Sequence, residues 1–274
     1  MLLMKPELLD GLDTPEGLQG ALQVAIELEL STLPPYLYTM FSLQPNSNTE
    51  IRALVDSVVK NEMAHMALAC NILNAIKGTP KLGTPEVTPR YPGHLPGTVE
   101  DQLTVHLRAF SIPQVESTFM VIEEPEEPLN IPDEAAIQRL TIGEFYGEIE
   151  RRLKEAGPSI FSGDPNRQLK VGFPEIKAVT DFASASAAIN TIVEQGEGTS
   201  SSPVGGQAAN ELAHYYRFAE ITHGKKLIEA KCEKPPWRYD GDPIPFDPTQ
   251  VYPLKENPHC SEYPAGSPAR HGCE

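Results

Sequence analysis

The sequence predicts an all-α protein: a four-helix bundle with a long crossover, extra helices and a Pro-rich C-terminal tail. Three observations carry that expectation. Apolar residues recur at helical rather than alternating spacing over several long stretches. Breaks rich in Pro and Gly separate those stretches. Two Glu-x-x-His motifs, Glu62-Met63-Ala64-His65 and Glu211-Leu212-Ala213-His214, fall within two of them. No strand pattern and no solenoid repeat competes.

The elements follow in order. Thr14 caps the first helix, Pro15 suits its first position and Glu16 meets the positive end of its dipole. Leu18, Leu22, Ala25, Ile26, Glu29, Leu33 and Tyr36 then form one stripe, and Pro34-Pro35 predicts a kink or a division. A turn at Asn46 to Asn48 leads to a second helix that stops at Gly78. Prolines 80, 85, 89, 92 and 96 make 79–97 a loop. Shorter helical pieces are expected at 101–110 and 114–123, a second break at 123–133 and a third long helix at 133–156. A small-residue helix at 175–195, a Gly/Ser loop at 196–206 and a last long helix at 207–232 follow. The bundle thus occupies 14–232, and 233–274 is expected to wrap it as extended coil.

Composition bounds the function. The chain has 274 residues, 40% apolar and 22% charged, enough for one large core. Its 22 Lys and Arg stand against 38 Asp and Glu, a net charge of −16 that disfavours nucleic acids and anionic membrane surfaces as partners. No apolar run approaches the ~20 residues of a membrane span, and the first ten residues lack a signal-peptide core. A cytoplasmic location is the expectation. Cys70 and Cys232 read as buried thiols in helices. Cys260 and Cys273, near His259 and His271, match no standard zinc spacing.

The paired motifs point to metal chemistry. Three residues of helix separate two side chains by roughly 60° and about one turn, so a Glu and a His at that spacing reach one ion. Two such pairs, with one inward carboxylate from each of two further helices, form the ligand set of ferritin-like di-iron or di-manganese bundles. On the first helix Glu29 lies on the apolar stripe, whereas Glu27 shares its face with Gln23 and Ser31; a carboxylate on an apolar stripe needs a compensating charge. On the third helix Glu144 is favoured over Glu148, whose neighbours Arg151 and Arg152 suit a solvated ion pair. Glu194 is the alternative to Glu144. The expected metal set is therefore Glu29, Glu62, His65, Glu144, Glu211 and His214, holding two iron ions, with manganese as the alternative. A third Glu-x-x-His, Glu220 to His223, lies nine residues on, roughly half a turn around the helix, and is out of phase.

A family resemblance rests on several of these residues. Ala25-Ile26-Glu27-Leu28-Glu29-Leu30-Ser31-Thr32-Leu33-Pro34-Pro35-Tyr36-Leu37 resembles the first helix of the ferritin-like domain in violacein-type imine dimer synthases, also described as iminophenyl-pyruvate dimer synthases. The resemblance continues through Asn61-Glu62-Met63-Ala64-His65-Met66, Tyr91-Pro92-Gly93-His94-Leu95-Pro96-Gly97, Ile142-Gly143-Glu144-Phe145-Tyr146 and Glu211 to Phe218. It implies a ferritin-like fold and, for the named synthases, oxidative coupling of two aromatic amino-acid-derived imines. Those synthases are much longer than this chain, so the coupling reaction itself does not carry over.

The expected function is a dinuclear-iron oxidase or oxygenase using dioxygen on a small amino-acid-derived, imine-type molecule in secondary metabolism. The expected assembly is a monomer or small homo-oligomer. Candidate substrate-side residues are His94 in the 79–97 loop, Tyr36 beside Glu29 and Arg217 beside His214. The alternative is a non-enzymatic ferritin-like iron-binding or storage protein.

Overall fold

The computed structural model describes residues 6–98, 103–125, 141–197, 202–205, 211–230 and 236–267. It is mostly helical. Helix α1 spans Pro15–Ser42, with the Thr14 hydroxyl accepting from Gly17 N at 3.0 Å. It stays one helix across Pro34 and Pro35, against the expectation of a division. Pro35 has no N–H to offer the Ser31 carbonyl four residues back. Tyr91 from the following loop supplies that hydrogen instead, its hydroxyl donating to Ser31 O at 2.6 Å. The carbonyl orphaned by proline is thus satisfied from outside the helix.

A turn with Asn46 and Asn48 at positive φ leads into α2, Thr49–Ala75, which packs along α1. The 79–97 loop crosses the flank of α1, where Lys81 exchanges hydrogen bonds with Gln23. Residues 103–110 are not helical. Val105 and Gly93 bridge through both backbone bonds, and Asn257 from the tail clasps Leu107. These partners satisfy the backbone in an extended form, which overrides the helical expectation for that stretch.

Helix α3 runs through Ile112–Gln114, a π-helical stretch Val115–Phe119 and Met120–Ile122. Its N-cap Ser111 accepts from Gln114 N. Helix α4 is Ile142–Ala156, and α5 is Phe182–Glu197. Residues 133–140, expected to open the third long helix, lie outside the described residues. Thr141 nevertheless has extended backbone (φ −83°, ψ 166°) and closes a capping box with Glu144, so α4 starts at Ile142.

The last long helix is also shorter than expected. Val204–Gly205 (β1) pairs antiparallel with Glu211–Leu212 (β2), and among the described residues of 207–232 only His214–His223 (α6) is helical. Gly224, at φ 66°, ends it. Ile228–Glu229 (β3) and Trp237–Arg238 (β4) form a second small antiparallel pair. The tail then bridges back to the end of α1 through Leu43 and Val251, and Tyr38 donates to Lys255 O. One apolar core joins the six helices, with Leu22, Ile26, Val55, Phe119, Phe145, Ile149, Ile189 and Phe218 buried in it. Among the described residues no helix is long and apolar enough to cross a membrane.

Candidate metal centre

Five ionisable side chains meet inside that core: Glu29 from α1, Glu62 and His65 from α2, Glu123 immediately after α3 and His214 at the start of α6. All five are at most 9% exposed. They form two triads, Glu29–Glu62–His65 and Glu62–Glu123–His214, which share Glu62. His65 Nδ1 lies 3.7 Å from Glu29 Oε2 and 3.8 Å from Glu62 Oε1. His214 Nδ1 lies 2.9 Å from Glu62 Oε1 and 3.2 Å from Glu123 Oε2. The two imidazoles stack, with ring centres 5.5 Å apart.

Both histidines are aimed by a side-chain amide. His65 Nε2 lies 2.9 Å from Gln195 Oε1, and His214 Nε2 lies 3.4 Å from Asn61 Oδ1. These acceptors assign the N–H to Nε2 and turn each Nδ1 toward the carboxylates. The same arrangement orients imidazole ligands around metals. The carboxylates are steered as well. Thr32 donates to Glu62 Oε2 at 2.6 Å, Tyr36 to Glu123 Oε1 at 2.5 Å and Tyr146 to Glu29 Oε1 at 3.1 Å. Each acid keeps one oxygen held and turns the other toward a histidine.

Burial and mutual charge set the protonation. Burial, then the Glu62 charge, push the Glu29 carboxyl well above its usual range; Glu123 is raised for the same two reasons. Burial also opposes ionisation of Glu62, but hydrogen bonding and charge from His214 outweigh it and hold Glu62 at about 2. Burial lowers His65 to about 4. For His214 the burial penalty is overcome by Glu123 and Glu62, which raise it to about 9. Burial therefore favours the neutral forms of Glu29, Glu123 and His65 and leaves Glu62 and His214 as a buried ion pair. Divalent cations would take the place of the protons on these groups, and carboxylate with imidazole is the donor set that suits iron or manganese. The residues fit a dinuclear centre.

A cavity of about 50 Å³ opens beside the cluster. Its lining combines Glu29, Thr32, Glu62, His65, Glu123 and Glu124 with the aliphatic Leu28, Ile122, Ile142, Ile192 and Val193.

The helical core and this buried cluster can be set beside known proteins. The family model described as ferritin-like matches residues 22–223. The chain belongs to the ferritin-like family. Among solved structures it is similar to a ferritin-like protein from Caulobacter vibrioides, at 27% identity and a TM-score of 0.55, over 75% of this chain and 71% of that one. No curated protein matches the sequence.

Within this ferritin-like chain, the structure brings Glu29, Glu62, His65 and His214 together and leaves three expected carboxylates elsewhere. Glu144 is exposed and spent on its capping box, accepting from Thr141 N at 3.0 Å. Glu211 lies on β2 with a 54% exposed side chain, paired to Arg217 at 3.1 Å. Ala213 between it and His214 is extended (φ −60°, ψ 159°), so helical i to i+3 geometry never applies to this motif. Glu194 is half-buried and lines neither the cavity nor a triad; its neighbour Gln195 holds His65. His94 is exposed, and its Nδ1 bonds Leu103 O; no residue of the 79–97 loop lines the cavity. Tyr36 and Arg217 do reach the cluster, through Glu123 and Asn61. Glu220, as expected, takes no part: it binds Leu227 N and Lys226, while His223 stacks on Tyr239 at 3.9 Å.

Glu123 is the residue the sequence argument passed over. The criterion that selects Glu29 also selects it. Val115, Phe119, Ile122 and Glu123 stand at i, i+4, i+7 and i+8, one apolar stripe closed by a carboxylate.

Proposed function

We propose that this chain is a dinuclear iron oxidase or oxygenase, with manganese as the alternative metal, that uses dioxygen on a small amino-acid-derived, imine-type substrate in the cytoplasm. The observation that carries this reading is the sharing of Glu62 by two buried Glu/His triads. Glu29 and His65 would hold one ion and Glu123 and His214 the other, with Glu62 common to both. Bound iron supplies dioxygen reduction and substrate oxidation. The chain's own part is positional. Gln195 and Asn61 keep both Nδ1 atoms facing inward, and Tyr36, Tyr146 and Thr32 hold the outer carboxylate oxygens. The aliphatic wall of Ile122, Ile142, Ile192 and Val193 keeps bulk water from the cluster.

The direct test loads the metal-free protein anaerobically with Fe(II), removes excess and counts iron. About two irons per chain, followed by dioxygen uptake, are expected; fewer than one per chain overturns the reading.

One observation favours a second reading. A cavity of about 50 Å³ has room for dioxygen and water but not for an aromatic imine. A non-enzymatic iron-binding or storage role needs nothing larger. Size-exclusion chromatography separates the two: a monomer or small oligomer supports the enzyme, and a shell-sized particle supports storage.

A further inference from the structure

The loop 163–177 presents apolar side chains to solvent from a backbone that is held fast. Asn71 of α2, fully buried, accepts from Leu169 N at 2.7 Å and donates to the carbonyls of Leu169 and Lys177 at 2.8 Å each. Asn74 donates to Arg167 O, Gln168 to Asn71 O, and Gly163 N to Ala75 O. Phe173 and Ile176 pack on Ala64 and Ala67 of the same helix. On this backing Leu169 is 46% exposed and Val171 77%. Aliphatic side chains held out on a fixed loop have already given up the backbone freedom that binding costs, which is the form of a preorganised contact surface.

Charge says what covers it. Arg167, Lys170 and Lys177 flank the two apolar residues along the loop, are exposed, and form no ion pair among the described residues. Arg167 Nη1 reaches Thr79 Oγ1 at 3.4 Å, which joins to them the stretch carrying the exposed Lys77 and Lys81. Of the acids in the loop, Asp164 accepts from Asn166 N and Glu175 is half-buried. The start of α1 lies beside this end of α2, since Gln19 Nε2 donates to Ile76 O at 2.9 Å. That start carries the opposite charge: Glu7, Asp10, Asp13 and Glu16 are exposed and likewise form no ion pair among the described residues. A basic, apolar patch thus adjoins an acidic strip. Two copies related by a two-fold axis between patch and strip place each strip on the partner's bases. An anionic lipid surface would be repelled by the strip and by the net charge of −16, so a second copy of the chain is the better complement.

We propose that this end of the bundle, centred on Leu169 and Val171, is the interface of a homodimer. The apolar pair supplies the buried centre, and the patch and strip supply the orientation. The proposal does not depend on the metal reading.

Sedimentation velocity of the full chain tests it. A dimer is expected at about 50 mM salt, weakened at least about tenfold at about 500 mM as the attraction between strip and patch is screened. Val171→Asp should weaken it at least about tenfold at low salt. The deciding experiment is a charge exchange. One protein carries Lys170→Glu and Lys177→Glu, and another carries Asp10→Lys and Asp13→Lys. Each should be monomeric alone, and the two should form a heterodimer when mixed, because the reversed patch of one then faces the reversed strip of the other. All four positions are exposed, and circular dichroism checks that both proteins fold; single reversals, Lys170→Glu and Asp13→Lys, repeat the exchange if either does not. A wild-type chain that is monomeric at low salt overturns the proposal. So does a dimer that survives every substitution, or a mixture of folded variants that fails to associate. Binding of the wild type to vesicles of about one-third anionic lipid, lost in the Lys170→Glu/Lys177→Glu protein, would assign the patch to a membrane and overturn it as well.

Discussion

Two of the chain's Glu-x-x-His motifs send a histidine into the buried cluster, and they adopt different structures. Glu62-Met63-Ala64-His65 sits in the middle of the 27-residue α2, and both of its functional side chains turn into the core. Glu211-Leu212-Ala213-His214 straddles a strand and a helix start, so its histidine goes in and its glutamate goes out. The same four-residue spacing therefore has different geometry depending on whether helix continues through it. Where the helix stops short, a carboxylate from another element, Glu123, takes the place that Glu211 was expected to fill.

The strongest way to break this comparison is at Glu62, which both triads share. Glu62→Gln keeps the shape and removes the charge, and both metal positions should weaken by at least about tenfold. Metal analysis after Fe(II) loading should then return well under one iron per chain. Retention of two irons would show that the triads do not depend on a shared carboxylate.

Next in size is the contrast between the carboxylate that the sequence argument chose and the one the fold supplies. Glu123→Gln should cut bound iron from about two per chain to about one. Glu144→Gln should leave the metal content unchanged. Its effect is on α4, where the loss of half a capping box costs about 1 kcal/mol, a fall in Tm of about 2–4 °C. If Glu144→Gln loses iron and Glu123→Gln does not, the assignment of the second triad is wrong.

That contrast also shows what was legible in the sequence. Glu29 and the Glu62/His65 pair were readable because they lie well inside long helices, where a residue's face follows from periodicity alone. The second triad was readable only in part: Glu123 closes an apolar stripe, whereas the spacing of Glu211 and His214 misleads. Its members stand at element ends: Glu123 just past α3, and His214 at the first position of α6. Periodicity says least at such ends, and contacts distant in sequence decide them. The β1–β2 pairing that pulls Glu211 out of the helix is one such contact. Gly205 permits it by packing against the Glu194 carbonyl, at 2.5 Å from where a Cβ would stand. Pro34-Pro35 shows the same limit: the local rule predicts a kink or a division, yet one helix runs through, and the hydroxyl of Tyr91, far along the chain, donates to the Ser31 carbonyl that Pro35 leaves without its helical partner.

A third, smaller effect separates the two histidines by pH. His214 is raised to about 9 from an ordinary 6.5, so its stabilising contribution is complete below pH 6.5 and is lost as pH rises to about 9. The raised carboxyls of Glu29 and Glu123 act in the same direction, because they ionise in the unfolded chain before they ionise in the folded one. His65, lowered to about 4, does the opposite: its contribution is present above pH 6.5 and fades as pH falls towards 4. The metal-free protein should therefore lose several degrees of Tm between pH 6.5 and 9. The metal-loaded protein should not, since ions bind the deprotonated groups and gain affinity with pH. Thermal melts of both forms across that range check it, and a metal-free Tm that rises with pH would contradict the assigned His214–Glu62 contact.

The smallest expected effect is at Glu211, and its smallness is informative. As a ligand, Glu211→Gln would disturb the metal as severely as any other member of the set. In the observed fold its carboxylate is half exposed and pairs with Arg217, an interaction worth about 0–1 kcal/mol in solvent. Arg217 keeps its bonds to Leu212 O, Ser57 and Asn61 when that partner is neutralised, so Asn61 still faces His214. Glu211→Gln should accordingly keep two irons per chain. A large loss of iron would return the second Glu-x-x-His to the role its spacing first suggested. Unchanged iron would fix it as an outer support of His214 through Arg217 and Asn61, the difference that separates Glu211 from Glu62.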